Sequence, residues 1–107
     1  MANRLSYMSE RDSIIQHLIE ALPAFPIKKA WLFGSYAEGT ATKDSDVDLL
    51  VTYDKEENIS LFTIGGIISN LSDIIGKAVD IVEEDCLLPF ARKSVDATKI
   101  LIYERST

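Results

Sequence analysis

Two aspartates one residue apart, Asp46 and Asp48, begin a run that continues as apolar Leu49-Leu50-Val51. On an extended strand, residues i and i+2 point to the same side, so the two carboxylates share a face and can share divalent cations. Ionised groups beside an apolar strand lose hydration, and something must compensate the pair. Basic neighbours or bound cations are the two ways to do so, and Lys43 is the only base nearby in sequence. Two metal ions held in this way serve in-line displacement at phosphorus. The competing reading is a turn in which Asp44, Ser45 and Asp46 hydrogen-bond to local backbone, and for the pair taken alone it is the stronger one.

A second feature stands upstream of a ten-residue spacer. The apolar run Ala30-Trp31-Leu32-Phe33 ends in Gly34-Ser35. A glycine lets backbone approach a ligand closely, and N–H groups at a strand-to-helix turn can face a phosphate. This is not a P-loop, because it has no Gly-Lys-Ser/Thr and no run of glycines. A strand-ending turn explains Gly34-Ser35 equally well by itself. The order of the parts is more telling: a buried strand, Gly-Ser, a polar loop over 40–45, then a strand carrying two aspartates. If the two strands are neighbours, turn and carboxylates meet. The third signal is Asp80, a charge within Ala78-Val79-Asp80-Ile81-Val82. An edge strand facing water explains it. So does a third carboxylate that completes a metal site and accepts the proton of an attacking hydroxyl.

The elements that must position these residues follow from hydrophobic periodicity. Met8 to Leu22 reads as an amphipathic helix with Ile14, Ile15, Leu18, Ile19 and Leu22 at helical spacing, capped by Ser9 or Asp12 and ended by Pro23 and Pro26. Lys28 to Phe33 reads as a strand buried on both faces, followed by a short helix from Tyr36 to Gly39. Val47 to Tyr53 is the second strand, and Asp54 to Asn58 a charged connection. Ile59 to Ile75 is a helix with Leu61, Ile64, Ile67, Ile68, Leu71, Ile74 and Ile75 on its apolar stripe, ended by Gly76. Gly65-Gly66 weakens it by about 1 kcal/mol per glycine. Ala78 to Val82 is a third strand, Glu83 to Asp85 a solvated acidic turn, Leu87 to Thr98 a helix with Pro89 in its first turn, and Lys99 to Tyr103 a final strand. Without repeats or linkers, residues 1–107 read as one domain.

Composition bounds the function classes. The 107 residues carry a formal charge of −6. That excludes broad binding along a nucleic-acid backbone, which needs Lys/Arg stripes, and suits a site that collects Mg²⁺ or a basic protein partner. Cys86 is the lone cysteine, so no internal disulfide forms and a reducing compartment is expected. The first residues lack an apolar signal core, and the longest apolar stretch, Ile59 to Ile75, is interrupted by polar residues and is short for a membrane span. The expectation is a cytoplasmic protein that engages neither membrane nor nucleic acid directly.

Phe33-Gly34-Ser35, the ten-residue spacer, Asp46-x-Asp48 and a later strand aspartate resemble the DNA polymerase beta-like nucleotidyltransferase superfamily. The short length and the stretch Leu88-Pro89-Phe90…Ile102-Tyr103-Glu104 resemble its minimal nucleotidyltransferase branch. The resemblance implies a two-layer α/β fold: a mixed central β-sheet with helices packed mainly on one face. It implies that Gly34 and Ser35, with Ser45, bind the nucleotide. Asp46 and Asp48 would bind Mg²⁺ in a two-metal site, with Asp80 as the third, catalytic carboxylate. The reaction implied is transfer of a nucleoside monophosphate, AMP from ATP, to a hydroxyl with release of pyrophosphate. Minimal members are paired with a helical HEPN protein, typically a ribonuclease toxin. The resemblance therefore implies an antitoxin that adds AMP to a toxin tyrosine.

One departure stands out: many relatives carry Arg where this chain has Glu38. The alternative is a non-catalytic antitoxin that masks its HEPN partner by contact. A small-molecule-modifying transferase is disfavoured, because one small domain leaves no second domain to build an acceptor pocket. For the same reason a hetero-oligomer or homodimer is expected to finish the site. His17, Trp31, Tyr36, Arg92, Lys93 and Lys99 are read as core or surface residues rather than as chemistry.

Overall fold

In the computed structural model, residues 9–54 and 58–106 are described. The first helix, α1 (Glu10–Ala21), starts where Ser9 Oγ accepts the Asp12 N–H at 3.1 Å. That bond satisfies one of the orphan donors of the first turn. Met8, expected as its first residue, lies outside the described residues. Ile14 and Leu18 form the inward stripe of α1, and Leu22 is buried just beyond it.

Strand β1 (Ile27–Phe33) leads through Gly34 into a single helical turn, α2 (Ser35–Glu38). Strand β2 (Val47–Tyr53) returns antiparallel to β1. Helix α3 (Leu61–Ile75) then carries the chain to β3 (Val79–Glu83), which pairs parallel to β2. A parallel neighbour needs such a crossover. After α4 (Pro89–Thr98), β4 (Ile100–Glu104) pairs antiparallel to β1, giving the mixed order β3-β2-β1-β4. The main core lies between one sheet face and the helices α1 and α3. Ala30, Leu32, Val47, Leu49, Val51 and Val79 meet Ile14, Leu18, Ile67 and Leu71 there.

The other face is covered less evenly. Trp31 and Phe33 are half-buried rather than buried on both sides as their apolar run predicts. Leu50, opposite Trp31 in the register, is fully buried but stands apart from the main cluster. Lys99 Nζ sits 4.8 Å from the centre of the Trp31 ring. Among the described residues, no helix is long and apolar enough to cross a membrane.

Helix α3 starts two residues later than its apolar pattern predicts, for a local reason. Ser60 Oγ accepts the Thr63 N–H and Thr63 Oγ1 accepts the Ser60 N–H, a reciprocal capping box. Leu61 and Phe62 then fall in the first turn and are 85% and 94% exposed, and Ile74 in the last turn is 49% exposed, so the buried stripe includes neither Leu61 nor Ile74. Gly76 ends the helix at φ 76°, as the sequence leads one to expect. Strand β3 runs one residue further than expected and takes Glu83 out of the acidic turn.

Gly65 and Gly66 lie within α3 on its exposed side, and a Cβ at either would enter open space. Replacing either with alanine is expected to add about 0.5–1 kcal/mol of stability, mainly by restricting the unfolded chain. Thermal denaturation of Gly65→Ala and Gly66→Ala checks this: both melt higher than the wild type.

Candidate active site

Phe33, the last residue of β1, pairs with Asp48, the second residue of β2. The chain leaves β1 through Gly34 at φ 72°, ψ −151°, a region that is essentially closed to residues with a side chain. A Cβ on Gly34 would stand 3.2 Å from Cγ and 3.4 Å from Cβ of Asp48, with Oδ2 closer still. The turn backbone therefore lies directly against the Asp48 carboxylate. Turn and aspartate meet because β1 and β2 are antiparallel neighbours.

Asp48 and Asp80 are register partners across the parallel β2/β3 pair, so their side chains leave the same face of the sheet. Asp46 stands two residues before Asp48, immediately before the first residue of β2. The electrostatics show the proximity. The Asp48 carboxyl is held above the ordinary aspartate range, first by burial, then by the charges of Asp80 and Asp46. Asp46 and Asp80 are exposed while Asp48 is half-buried. Strand β3 is an edge strand and Asp80 does face water, so that reading and the carboxylate row hold together.

Ser35 opens α2 and is half-buried; its carbonyl accepts the Thr40 N–H at 3.0 Å. Four residues make only one turn, so α2 offers the amides of the bend rather than a helix macrodipole. Ser45 Oγ accepts the Thr42 N–H at 2.8 Å, and Asp44 N–H donates to Thr42 Oγ1 at 3.3 Å. The turn reading is thus correct for Ser45 and Asp44: they build the loop that delivers Asp46. Of the cations near the C-terminus, Arg92 is paired with Glu84 and Asp96, and Lys99 with Asp96. Both have structural roles there.

Sequence reasoning missed Lys77. Its ammonium reaches the Lys43 carbonyl and Glu10, from positions far apart in the chain. Only the tertiary fold brings them together, and no local pattern marks them.

The donor chemistry suits a hard divalent cation: carboxylate oxygens on one face, the central carboxyl pushed up by burial and then by its like-charged neighbours. Among the described residues, no three His, Cys, Asp or Glu side chains are gathered tightly enough to hold an ion by themselves.

Residues 13–104 match the family model described as the nucleotidyltransferase domain. The chain is 36% identical over 89 residues to protein adenylyltransferase MntA of Thermococcus cleftensis, covering 82% of this chain and 88% of MntA. Among solved structures, a toxin–antitoxin complex with AMP-PNP aligns at a TM-score of 0.64 and 21% identity, covering 90% of this chain and 74% of that one. The complex of tri-AMPylated Shewanella oneidensis HEPN toxin with MNT antitoxin aligns at a TM-score of 0.57 and 18% identity, covering 90% and 71%. At these identities the two structures support the fold: a mixed sheet with its helices mainly on one face.

Proposed function

Because this chain belongs to the nucleotidyltransferase domain family, and to its minimal branch, we propose that it transfers AMP from ATP to a tyrosine hydroxyl of a HEPN toxin and so acts as an antitoxin. The enzyme class follows from the family. The nucleotide, the metal, the acceptor and the partner are the proposal. The observation that carries it is the meeting of the Gly34 turn with Asp48, in register with Asp80.

The backbone of Gly34-Ser35 and the Ser35 hydroxyl bind phosphate oxygens of the nucleotide. Asp46, Asp48 and Asp80 hold Mg²⁺, which when bound supplies neutralisation of the triphosphate charge and of the leaving pyrophosphate. Asp80 accepts the acceptor hydroxyl's proton as that oxygen bonds to the α-phosphorus and the bond to pyrophosphate breaks. Its exposure on an edge strand lets a macromolecular acceptor reach it. The HEPN partner is supported by the relatives: MntA is a protein adenylyltransferase, and an MNT antitoxin is found with an AMPylated HEPN toxin.

A contact-only antitoxin is the second reading, favoured by Glu38. Its N–H donates to the Gly34 carbonyl at 3.0 Å, so an acidic residue stands one helical turn beyond the proposed phosphate site. One experiment separates the two readings: incubating chain and HEPN partner with labelled ATP and Mg²⁺. Transfer to the partner is expected, reduced by at least about 100-fold in Asp46→Ala and Asp48→Ala, the scale of losing a preorganised electrostatic group. No transfer, with both variants still inhibiting the partner, would establish masking instead.

A further inference from the structure

We propose that Lys77, Glu10 and Tyr36 form a clamp that sets the spacing between the phosphate turn and the carboxylate loop, and that they are positioning residues for transfer. The positioning role rests on the nucleotide-transfer reading; the clamp does not.

Tyr36 follows Ser35 directly, and its ring is 5% exposed. Its hydroxyl donates to Glu10 Oε1 at 2.9 Å, which fastens α2 to the start of α1. The Arg11 guanidinium adds a second tie from the same helix, donating to the Tyr36 carbonyl at 3.4 Å. Lys77 Nζ lies 3.3 Å from the same Glu10 oxygen and donates to the Lys43 carbonyl at 2.5 Å. Tyr36 and Lys77 thus meet on one oxygen of Glu10. An ammonium has three N–H donors. Glu10 and the Lys43 carbonyl take two of them, which anchors Lys77 between α1 and the loop before β2.

Each anchored residue adjoins a part of the site. Tyr36 is next to Ser35, Lys43 leads into the Asp46 turn, and Lys77 is three residues before Asp80. The Val47 N–H to Ala78 carbonyl bond, at 2.9 Å, joins the same two segments on the sheet side. The clamp therefore holds together the three segments whose separation decides whether triphosphate and carboxylates meet. Glu10 is kept ionised by the clamp: its carboxyl is held below the ordinary range, first by the Tyr36 hydrogen bond and then by Lys77. A generic staple would stabilise the fold and leave the chemistry of folded molecules unchanged. A positioning clamp acts on turnover, because a misplacement of about 1 Å costs on the order of 100-fold in rate.

The test uses Lys77→Met, Tyr36→Phe and Lys77→Arg. Tyr36→Phe keeps the packed ring and removes only the hydroxyl, so it covers the case in which Lys77→Met does not fold. Amide hydrogen exchange over residues 40–46 is expected to quicken about tenfold in Lys77→Met and Tyr36→Phe. The kcat for transfer is expected to fall 10- to 100-fold, with KM for ATP changed less than threefold and Lys77→Arg recovering most of both effects. Unchanged loop exchange overturns the clamp. Faster exchange with unchanged kcat overturns the positioning role. If the wild type transfers no nucleotide, the functional reading and the positioning role both fall, and loop exchange alone still decides whether the clamp exists.

Discussion

Asp48→Asn protein is expected to melt above the wild type at pH 7.5 when both are free of metal, and to transfer nucleotide at least about 100-fold more slowly when both are given ATP and Mg²⁺. The two effects share one cause. Asp48 is half-buried, and burial, then Asp80, then Asp46, push its carboxyl above the ordinary range. The folded state thus holds the Asp48 proton more tightly than the unfolded chain does. Stability falls as pH rises above the unfolded value of about 3.9, and reaches its floor once pH passes the raised folded value. At neutral pH the ionised side chain opposes folding, and the isosteric amide removes that cost.

Partial exposure screens the effect, so the expected gain is about 0.5 kcal/mol, or about 2–4 °C for a domain of this size. Melting in EDTA from pH 4 to pH 8 checks it: the two proteins approach each other at the acid end, where the folded wild-type carboxyl takes up its proton, and separate as pH rises. A wild type more stable than Asp48→Asn at neutral pH would mean that the chain compensates Asp48 itself, and the argument for a cation would fall. Mg²⁺ with AMP-PNP should then raise the melting temperature of the wild type and leave the variant unmoved, since only the wild type gains by ligand linkage.

The parts legible from residues alone are those set by short-range physics. Strand β2 follows from its Val/Leu-rich run, and the end of α3 from Gly76, while α4 begins at Pro89, two residues later than its pattern suggests. The apolar stripe of α3 does not extend to Leu61, because an apolar side chain in a first turn has no obligation to be buried. Sheet order and register are another matter. Asp48 and Asp80 share a face only because β2 and β3 pair in parallel with those residues opposite each other, a long-range choice that neither strand encodes locally. Asp80 could therefore be singled out but not placed. Lys77 could not be singled out at all, since its partners Glu10 and Lys43 reach it only through tertiary structure. Ser45 illustrates the opposite case: its local turn chemistry was visible, and the structure shows it engaged in just that turn.

Gly34→Ala carries the largest expected loss, because glycine is required there for two separable reasons. At φ 72° and ψ −151° the backbone alone disfavours any side chain, at a cost of about 1–3 kcal/mol. The added methyl would also meet the Asp48 carboxylate, whose Cγ stands 3.2 Å away. The single variant is expected to lose about 2–4 kcal/mol in urea unfolding and to transfer nucleotide about 100-fold more slowly, since the carboxylate must move to make room. Repeating the substitution in Asp48→Ala protein separates the reasons. The backbone cost remains there, while the collision with the carboxylate is gone. The double-mutant cycle should return a coupling of about 0.5–2 kcal/mol, the range for residues in direct contact. Zero coupling would mean that the turn and Asp48 do not touch in solution, leaving only a strained glycine. A positive coupling measures the close approach itself, and that approach is what makes a strand-ending turn and a strand aspartate into one site.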